Sequence, residues 1–214
     1  AYTVKHMLQD VTGDGYTEDA AARQTLHGTT GADTNAAAKS YEGFTAQAVE
    51  QKTIAADSST VVEIKYDRNS YEVTYAYVGT APAGASALPE KATVKYGAPV
   101  TVAEAATAPG YTFSGWSRND FTMPAENVTI TGSFTANGDT AYTVEHYQQN
   151  LAGDGYDLVE TDTEHLKGET DTTATANPKT YTGFAFDESV EDTVASGNIA
   201  GDGSLVLKLY YTRN

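Results

Sequence analysis

The stretch Ala1-Tyr2-Thr3-Val4-Lys5-His6-Met7-Leu8-Gln9 returns 140 positions later as Ala141-Tyr142-Thr143-Val144-Glu145-His146-Tyr147-Gln148-Gln149. Tyr2, Val4, His6 and Leu8 fall on one face, and Thr3, Lys5 and Met7 on the other, which is the period of a half-buried strand. The second copy keeps Tyr142, Val144 and His146 on the inner face and puts Tyr147 where Met7 stood. The match continues in register. Gly13-Asp14-Gly15-Tyr16 meets Gly153-Asp154-Gly155-Tyr156, Gly28 meets Gly168, Lys39 meets Lys179, and Tyr41-Glu42-Gly43-Phe44 meets Tyr181-Thr182-Gly183-Phe184. Both copies close on Arg-Asn, at Arg68-Asn69 and Arg213-Asn214. The offset grows after Phe44, so the second copy carries an insertion, expected near Gly197-Asn198 and Gly201-Asp202-Gly203. This is a duplication within one chain.

Between the copies stands Gly110-Tyr111-Thr112-Phe113-Ser114-Gly115-Trp116, which holds the only tryptophan. Gly43-Phe44 and Gly183-Phe184 are its weaker counterparts. Each reads as a glycine turn followed by an aromatic residue entering a strand. Three modules follow: 1–69, 70–138 and 139–214. In the first, Val62, Ile64 and Tyr66 point inward and Glu63 and Lys65 outward; in the last, Leu207, Leu209 and Tyr211 point inward. In the middle, Tyr71, Val73, Tyr75 and Tyr77 alternate with smaller or more polar residues. Further strands are expected over Ala92–Tyr96, at Trp116 and over Val128–Phe134. Glu18–Gln24 contains helix formers, but its partner Leu158–Glu164 is rich in strand formers, so a strand is expected in both. A short helix or turn is expected near Asn35–Ala38, and a helical turn at Val102–Ala106. The connectors at Asn69-Ser70 and Ala136–Thr140 are short, which limits how freely modules swing.

With 214 residues, each module has roughly 70, near the lower limit for independent folding. The chain is 40% hydrophobic and has 15 Tyr against 6 Phe, a mixture that suits pleated, half-buried surfaces. A net charge of −16 repels phosphate backbones, so nucleic acid is excluded as a partner. The absence of cysteine excludes disulfides, thiol catalysis and Cys-based zinc sites. No apolar run approaches the roughly 20 residues that span a bilayer, so no membrane insertion is expected. The chain opens directly in a strand pattern, as an excised fragment would.

Tyr71 to Phe134 resembles the listerial internalin B-repeat, the Listeria–Bacteroides repeat. The parts that match are Val94-Lys95-Tyr96-Gly97, the Gly110–Trp116 stretch and Val128-Thr129-Ile130. The outer modules resemble MucBP (mucin-binding protein) repeats through Tyr142–Tyr147, Lys179–Phe184 and the closing Leu205–Tyr211 strand. These resemblances imply a mainly β (α+β) chain of three tandem β-grasp-like modules, each a small mixed sheet with one short helix or turn, arranged as an elongated rod. They also imply an extracellular bacterial cell-surface location in a Gram-positive organism, wall-anchored through regions outside this fragment. They offer no catalytic residue and no cofactor.

No Gly-x-Ser-x-Gly, His-Glu-x-x-His or phosphate loop is present, so no enzyme is expected. His6 and His146 lie on equivalent inner faces of separate modules and read as buried strand residues rather than zinc ligands. The Gly-Asp-Gly segments, with Asp10 and Asp14 or Asn150 and Asp154, match no calcium-loop spacing and read as plain turns. Lys5 and Asn69 are placed for an isopeptide bond, but Glu145 replaces Lys5 in the second copy, so none is expected. Tyr111 and Phe113 read as core; Trp116 reads as core or, alternatively, as a sugar-stacking ring. Met7 and Tyr147, on an outer face, are the other ligand-binding candidates.

The expected function is that of a non-catalytic, monomeric stalk segment that can also serve as an adhesin. Alternatives are a module binding a specific glycan, mucin or host surface protein, or an accessory region of a secreted hydrolase. A three-module rod implies a radius of gyration above roughly 28 Å, against roughly 17 Å for a compact globule of this length.

Overall fold

The computed structural model describes residues 1–214 throughout. In chain order the strands are β1 (Tyr2–Gln9), β2 (Tyr16–Glu18), β3 (Gln24–Leu26), β4 (Phe44–Ala46), β5 (Val61–Arg68), β6 (Ser70–Tyr77), β7 (Ala92–Lys95), β8 (Pro99–Val100), β9 (Tyr111–Phe113) and β10 (Phe121–Thr122). They continue as β11 (Val128–Gly132), β12 (Phe134–Ala136), β13 (Thr140–Gln149), β14 (Tyr156–Leu158), β15 (Glu164–Gly168), β16 (Thr173–Thr175), β17 (Phe184–Phe186), β18 (Ser196–Asn198) and β19 (Val206–Arg213). The helical content is two single 3-10 turns, Ala20–Ala22 and Glu160–Asp162. The chain is therefore mainly β, built from several small sheets. Contacts divide it into two compact units. One is Ala1–Ala76, Pro89–Ala103 and Trp116–Thr131; the other is Tyr77–Leu88, Glu104–Gly115 and Gly132–Asn214.

In the first unit, β1 and β5 run side by side and parallel, from Thr3↔Val61 to Leu8↔Tyr66. On the far side of β1, β2 and β3 pair antiparallel with its two ends; β4 flanks β5. The continuous strand expected over Glu18–Gln24 is not formed. Met7 faces Glu18 and Val4 faces Gln24, so the outer chain has three residues more than β1 to cover the same distance. The exposed 3-10 turn Ala20–Ala22 absorbs them. Tyr2, Val4, Val62, Ile64 and Tyr66 from the sheet and Ile54 and Ala36 from the loops form the core. Asn35–Ala38 is neither helix nor turn. The Gln51 side chain instead binds both the N–H and the C=O of buried Ala36, at 2.9 and 2.8 Å, and takes the place of local backbone partners.

The same unit contains a three-stranded sheet with β6 between β11 and β7. Val73, Val100, Met123, Val128 and Ile130 fill its core. Val102 and Ala103 were expected in a helical turn, but their amides bind the Asp120 carboxylate and the Tyr75 hydroxyl, at 2.8 and 2.9 Å, and the segment stays extended.

In the second unit, β13 and β19 repeat the parallel pairing from Thr143↔Val206 to Gln148↔Tyr211, flanked by β14, β15 and β17. Val144, Leu207, Leu209, Tyr211, Ile199, Ala174 and Ala176 form the core. The insertion is not at Gly197–Gly203. Gln47 N bonds Lys65 O as Asp187 N bonds Tyr210 O, and Thr34 N bonds Lys52 O where β16 and β18 pair Ala174 with Gly197. The extra residues therefore lie between Asp187 and Gly197, where nine residues, 188–196, replace four, 48–51. Glycine richness marked a turn, whereas the added length fell in an acidic loop without it. Strand β9 stops at Phe113, so Trp116 lies beyond it rather than in a strand, and the strand expected over Val128–Phe134 is broken at Ser133 into β11 and β12.

The three glycine turns share one geometry. Gly43, Gly110 and Gly183 have φ of 75°, 74° and 85°. In each, the N–H of the following aromatic residue bonds back three residues at 3.2 Å, to Tyr41, Ala108 and Tyr181. A positive φ at the third position of such a turn is the type II arrangement, which favours glycine. Their carbonyls accept the amides of Asn69, Asn137 and Asn214 at 2.9, 2.9 and 3.1 Å.

Within each unit one of these turns meets the segment that follows. In the first, Asn69 O accepts Tyr96 N at 2.8 Å, and the Tyr96 ring lies where a Gly43 Cβ would be, at 2.2 Å. In the second, Asn137 O accepts Thr170 N at 3.0 Å, and the Thr170 hydroxyl donates to Gly110 O at 2.8 Å. A Cβ on Gly110 would stand 2.4 Å from Gly201 Cα. The first junction is closed by a side-chain ring and the second by backbone against backbone, and neither leaves room for a side chain on the glycine.

Candidate functional site

The outer faces of β13 and β19 carry a surface groove lined by aromatic and acidic side chains. Tyr147 faces Tyr210 across the parallel pair. Their rings stack at 4.8 Å and 13°, and Tyr156 from β14 meets Tyr210 edge-on at 5.1 Å and 87°. Tyr147 donates its hydroxyl to Glu145 at 2.6 Å. That bond, then burial, then the carboxylate charge, hold the Tyr147 hydroxyl up at about 12. Burial and the charges of Asp192 and Glu145 raise Tyr210 as well. The three rings border an open groove of about 470 Å³, completed by Gln149, the Gly153-Asp154-Gly155 turn and Asp192. The raised Tyr147 and Tyr210 hydroxyls stay neutral around physiological pH, so the groove offers aromatic surface edged by carboxylates.

Met7 sits at the equivalent place in the first copy, half-buried and opposite Lys65. There the Lys65 ammonium lies 5.1 Å from the centre of the Tyr16 ring. Tyr16 in turn donates to Asp67. Trp116 is elsewhere: it packs half-buried against Tyr75, with ring centres 4.9 Å apart and tilted 69°. Tyr111 and Phe113 are half-buried; Phe113 packs on Tyr77 and Phe134, and the Tyr111 hydroxyl donates to Asp171. Of the three expected ligand residues, Tyr147 lines a groove together with other aromatic and acidic side chains. Sequence reasoning missed Tyr210 and Asp192. Tyr210 was visible as the outward residue between Leu209 and Tyr211 that replaces Lys65, whereas Asp192 depended on locating the insertion.

The buried histidines are structural. His6 Nε2 pairs with Gln24 Oε1 at 3.2 Å and its Nδ1 with the Tyr66 hydroxyl at 2.7 Å. Because that hydroxyl accepts the Lys39 amide at 2.9 Å, its own proton goes to Nδ1, which leaves Nε2 as the donor. His146 repeats this with Tyr211 and Lys179, but its Nε2 faces Glu164 Oε1 at 3.0 Å. The His146 bond, supported by Lys179, holds the Glu164 carboxyl below its ordinary value, against the opposing pull of burial. Neither imidazole reaches the surface. In the second Gly-Asp-Gly turn, Asn150 Oδ1 accepts the amides of Gly153 and Asp154 at 2.8 and 3.3 Å. This is a side-chain-closed turn. Lys5 lies 4.0 Å from Glu18, while Asn69 Oδ1 accepts the Thr45 hydroxyl, so the two are engaged separately.

No curated protein matches the chain. Among solved structures, the chain is similar to Streptococcal High Identity Repeats in Tandem (SHIRT) domains 3-4 from a cell surface protein. The identity is 15% and the TM-score 0.24, over 63% of this chain and 97% of that one. Residues 71–138 match the family described as the divergent InlB B-repeat domain.

Proposed function

We propose that this chain is a non-catalytic, load-bearing repeat segment of an extracellular bacterial surface protein. In this reading residues 1–69 and 139–214 are MucBP-like repeats flanking the InlB-type repeat of 70–138. The family match over the middle segment supports the surface-repeat reading. The observation that carries the mechanical part is the parallel pairing of β1 with β5 and of β13 with β19. Each outer repeat begins on one of these strands and ends on the other. Tension applied through the repeat pulls two parallel neighbours past one another, so their backbone hydrogen bonds are loaded together rather than peeled one at a time. With no cysteine in the chain, no disulfide adds to that pairing.

Single-molecule pulling through handles at Ala1 and Asn214 tests this. Two high-force steps are expected, each releasing roughly 200 Å, close to the extended length of about 65 residues. Replacing Ile64 by Pro, which removes a ladder donor from the middle of β5, should eliminate one step and leave the other. Smooth low-force extension of the unmodified chain would overturn the proposal.

A further inference from the structure

The two copies share a frame but differ on one patch of its outer face, and the difference is chemically coherent. In the first copy the patch contains its own cation: Lys65 places an ammonium 5.1 Å from the centre of the Tyr16 ring. Tyr156 retains the aromatic partner in the second copy, while Tyr210 takes the lysine's position. Tyr147 replaces Met7 and stacks on Tyr210. The lengthened 188–196 loop brings Asp192 to the lining of the resulting groove, which Asp154 also lines. No basic side chain lines it. The second copy therefore lacks the intrachain cation and has Tyr147 and Tyr210 in place of Met7 and Lys65, with Asp192 from the longer loop lining the groove.

We propose that this groove binds an organic cation, an alkylammonium or guanidinium group, seated against the Tyr147 and Tyr156 rings and balanced by Asp192 and Asp154. A cation over an aromatic face is attracted by the ring quadrupole. The groove volume of about 470 Å³ admits a lysine or arginine side chain or a small quaternary amine. A neutral sugar fits the chemistry less well, because the Gln149 amide is already committed: its oxygen accepts the Arg213 amide at 3.1 Å, and its nitrogen faces Gly153 O at 3.5 Å. The hydroxyl of Tyr147, bound to Glu145, keeps that ring neutral and fixed. A single amine is expected to bind weakly, with a dissociation constant on the order of 1 mM. This site is independent of the load-bearing reading, and pulling experiments do not test it.

The test is an amide-resolved NMR titration of the whole 214-residue chain. The probes are Nα-acetyl-lysine amide, Nα-acetyl-arginine amide, tetramethylammonium and N-acetylgalactosamine, each against sodium chloride at matched ionic strength. Saturable shifts confined to Gly153, Gly155, Tyr156, Asp192 and Tyr210 with any of the three cations support the proposal. Preference for the two amino-acid amides identifies a protein side chain as the source, and preference for tetramethylammonium a quaternary amine. Asp192→Asn, on an exposed loop, should weaken binding roughly threefold to tenfold. Tyr210→Lys, which installs the first copy's residue, should abolish it while the β13 and β19 amides keep their dispersion. If Tyr210→Lys unfolds the repeat, the Asp192→Asn result decides. Shifts that spread over the acidic surface, that Asp192→Asn leaves unchanged, or that only the sugar produces would overturn the proposal.

Discussion

The first repeat holds its buried histidine against a neutral amide, Gln24, and the last holds the equivalent histidine against a carboxylate, Glu164. Around these two residues the frames coincide. Tyr66 and Tyr211 hold the other ring nitrogen, and Lys39 and Lys179 donate their amides to the same hydroxyls. Tyr41 and Tyr181 even keep acidic partners from different positions, Asp19 just before the first 3-10 turn and Asp162 at the end of the second. Buried polar groups must be satisfied together, so the inner network tolerates substitution only where a replacement keeps the hydrogen bond. The outer face has no such constraint, and there Met7 and Lys65 became Tyr147 and Tyr210.

The strongest way to probe that comparison is through the core. Ile64 and Leu209 are equivalent, each paired opposite its repeat's histidine and 1% and 0% exposed. Ile64→Ala and Leu209→Ala should each cost roughly 2–5 kcal/mol. Hydrogen exchange should show lost protection in β1 and β5 for the first and in β13 and β19 for the second. Equal loosening of both repeats by either substitution would mean that they do not unfold separately.

Glycine turns give a smaller and more selective contrast. Gly43→Ala and Gly183→Ala both force alanine to a positive φ, at a cost of roughly 1–2 kcal/mol. Only Gly43 has a neighbour in the way, the Tyr96 ring 2.2 Å from the new Cβ; Gly183 has open space. Displacing that ring should add roughly 1–3 kcal/mol. Denaturant midpoints measure the difference, and equal costs would show that Tyr96 yields freely.

The smallest effect concerns acid. Glu164 has its folded value lowered, chiefly by its bond to His146. A lowered carboxyl contributes stability that is complete above its unfolded value and is lost as pH falls through the folded one. The last repeat should therefore lose stability below about pH 4.5, the ordinary glutamate value, and Glu164→Gln should flatten that part of its profile. The carboxylate is partly exposed, so the contribution should stay below about 1 kcal/mol. An unchanged acid limb in Glu164→Gln would remove Glu164 as its source.

Much of this molecule is legible from local pattern. Alternation along Tyr2–Leu8 and Val62–Tyr66 identifies the buried faces because side chains on a strand repeat every second residue. The three glycine turns are legible because a positive φ demands glycine wherever the next strand must start at once. The duplication is legible because both copies bury the same residues. Three other features were settled by residues distant in sequence. The 3-10 turns at Ala20–Ala22 and Glu160–Asp162 exist because of a length mismatch against β1 and β13, which no local propensity records. The path of Ala36 is held by Gln51, and that of Val102 and Ala103 by Asp120 and Tyr75. The groove needs Tyr147, Tyr156, Tyr210 and Asp192 brought together from three strands and a loop. Sequence alone determined which faces are buried and where the chain turns, since both are set by each residue's own geometry. Tertiary structure decided which outward residues meet, since that depends on strand register and loop length across more than sixty residues of intervening chain.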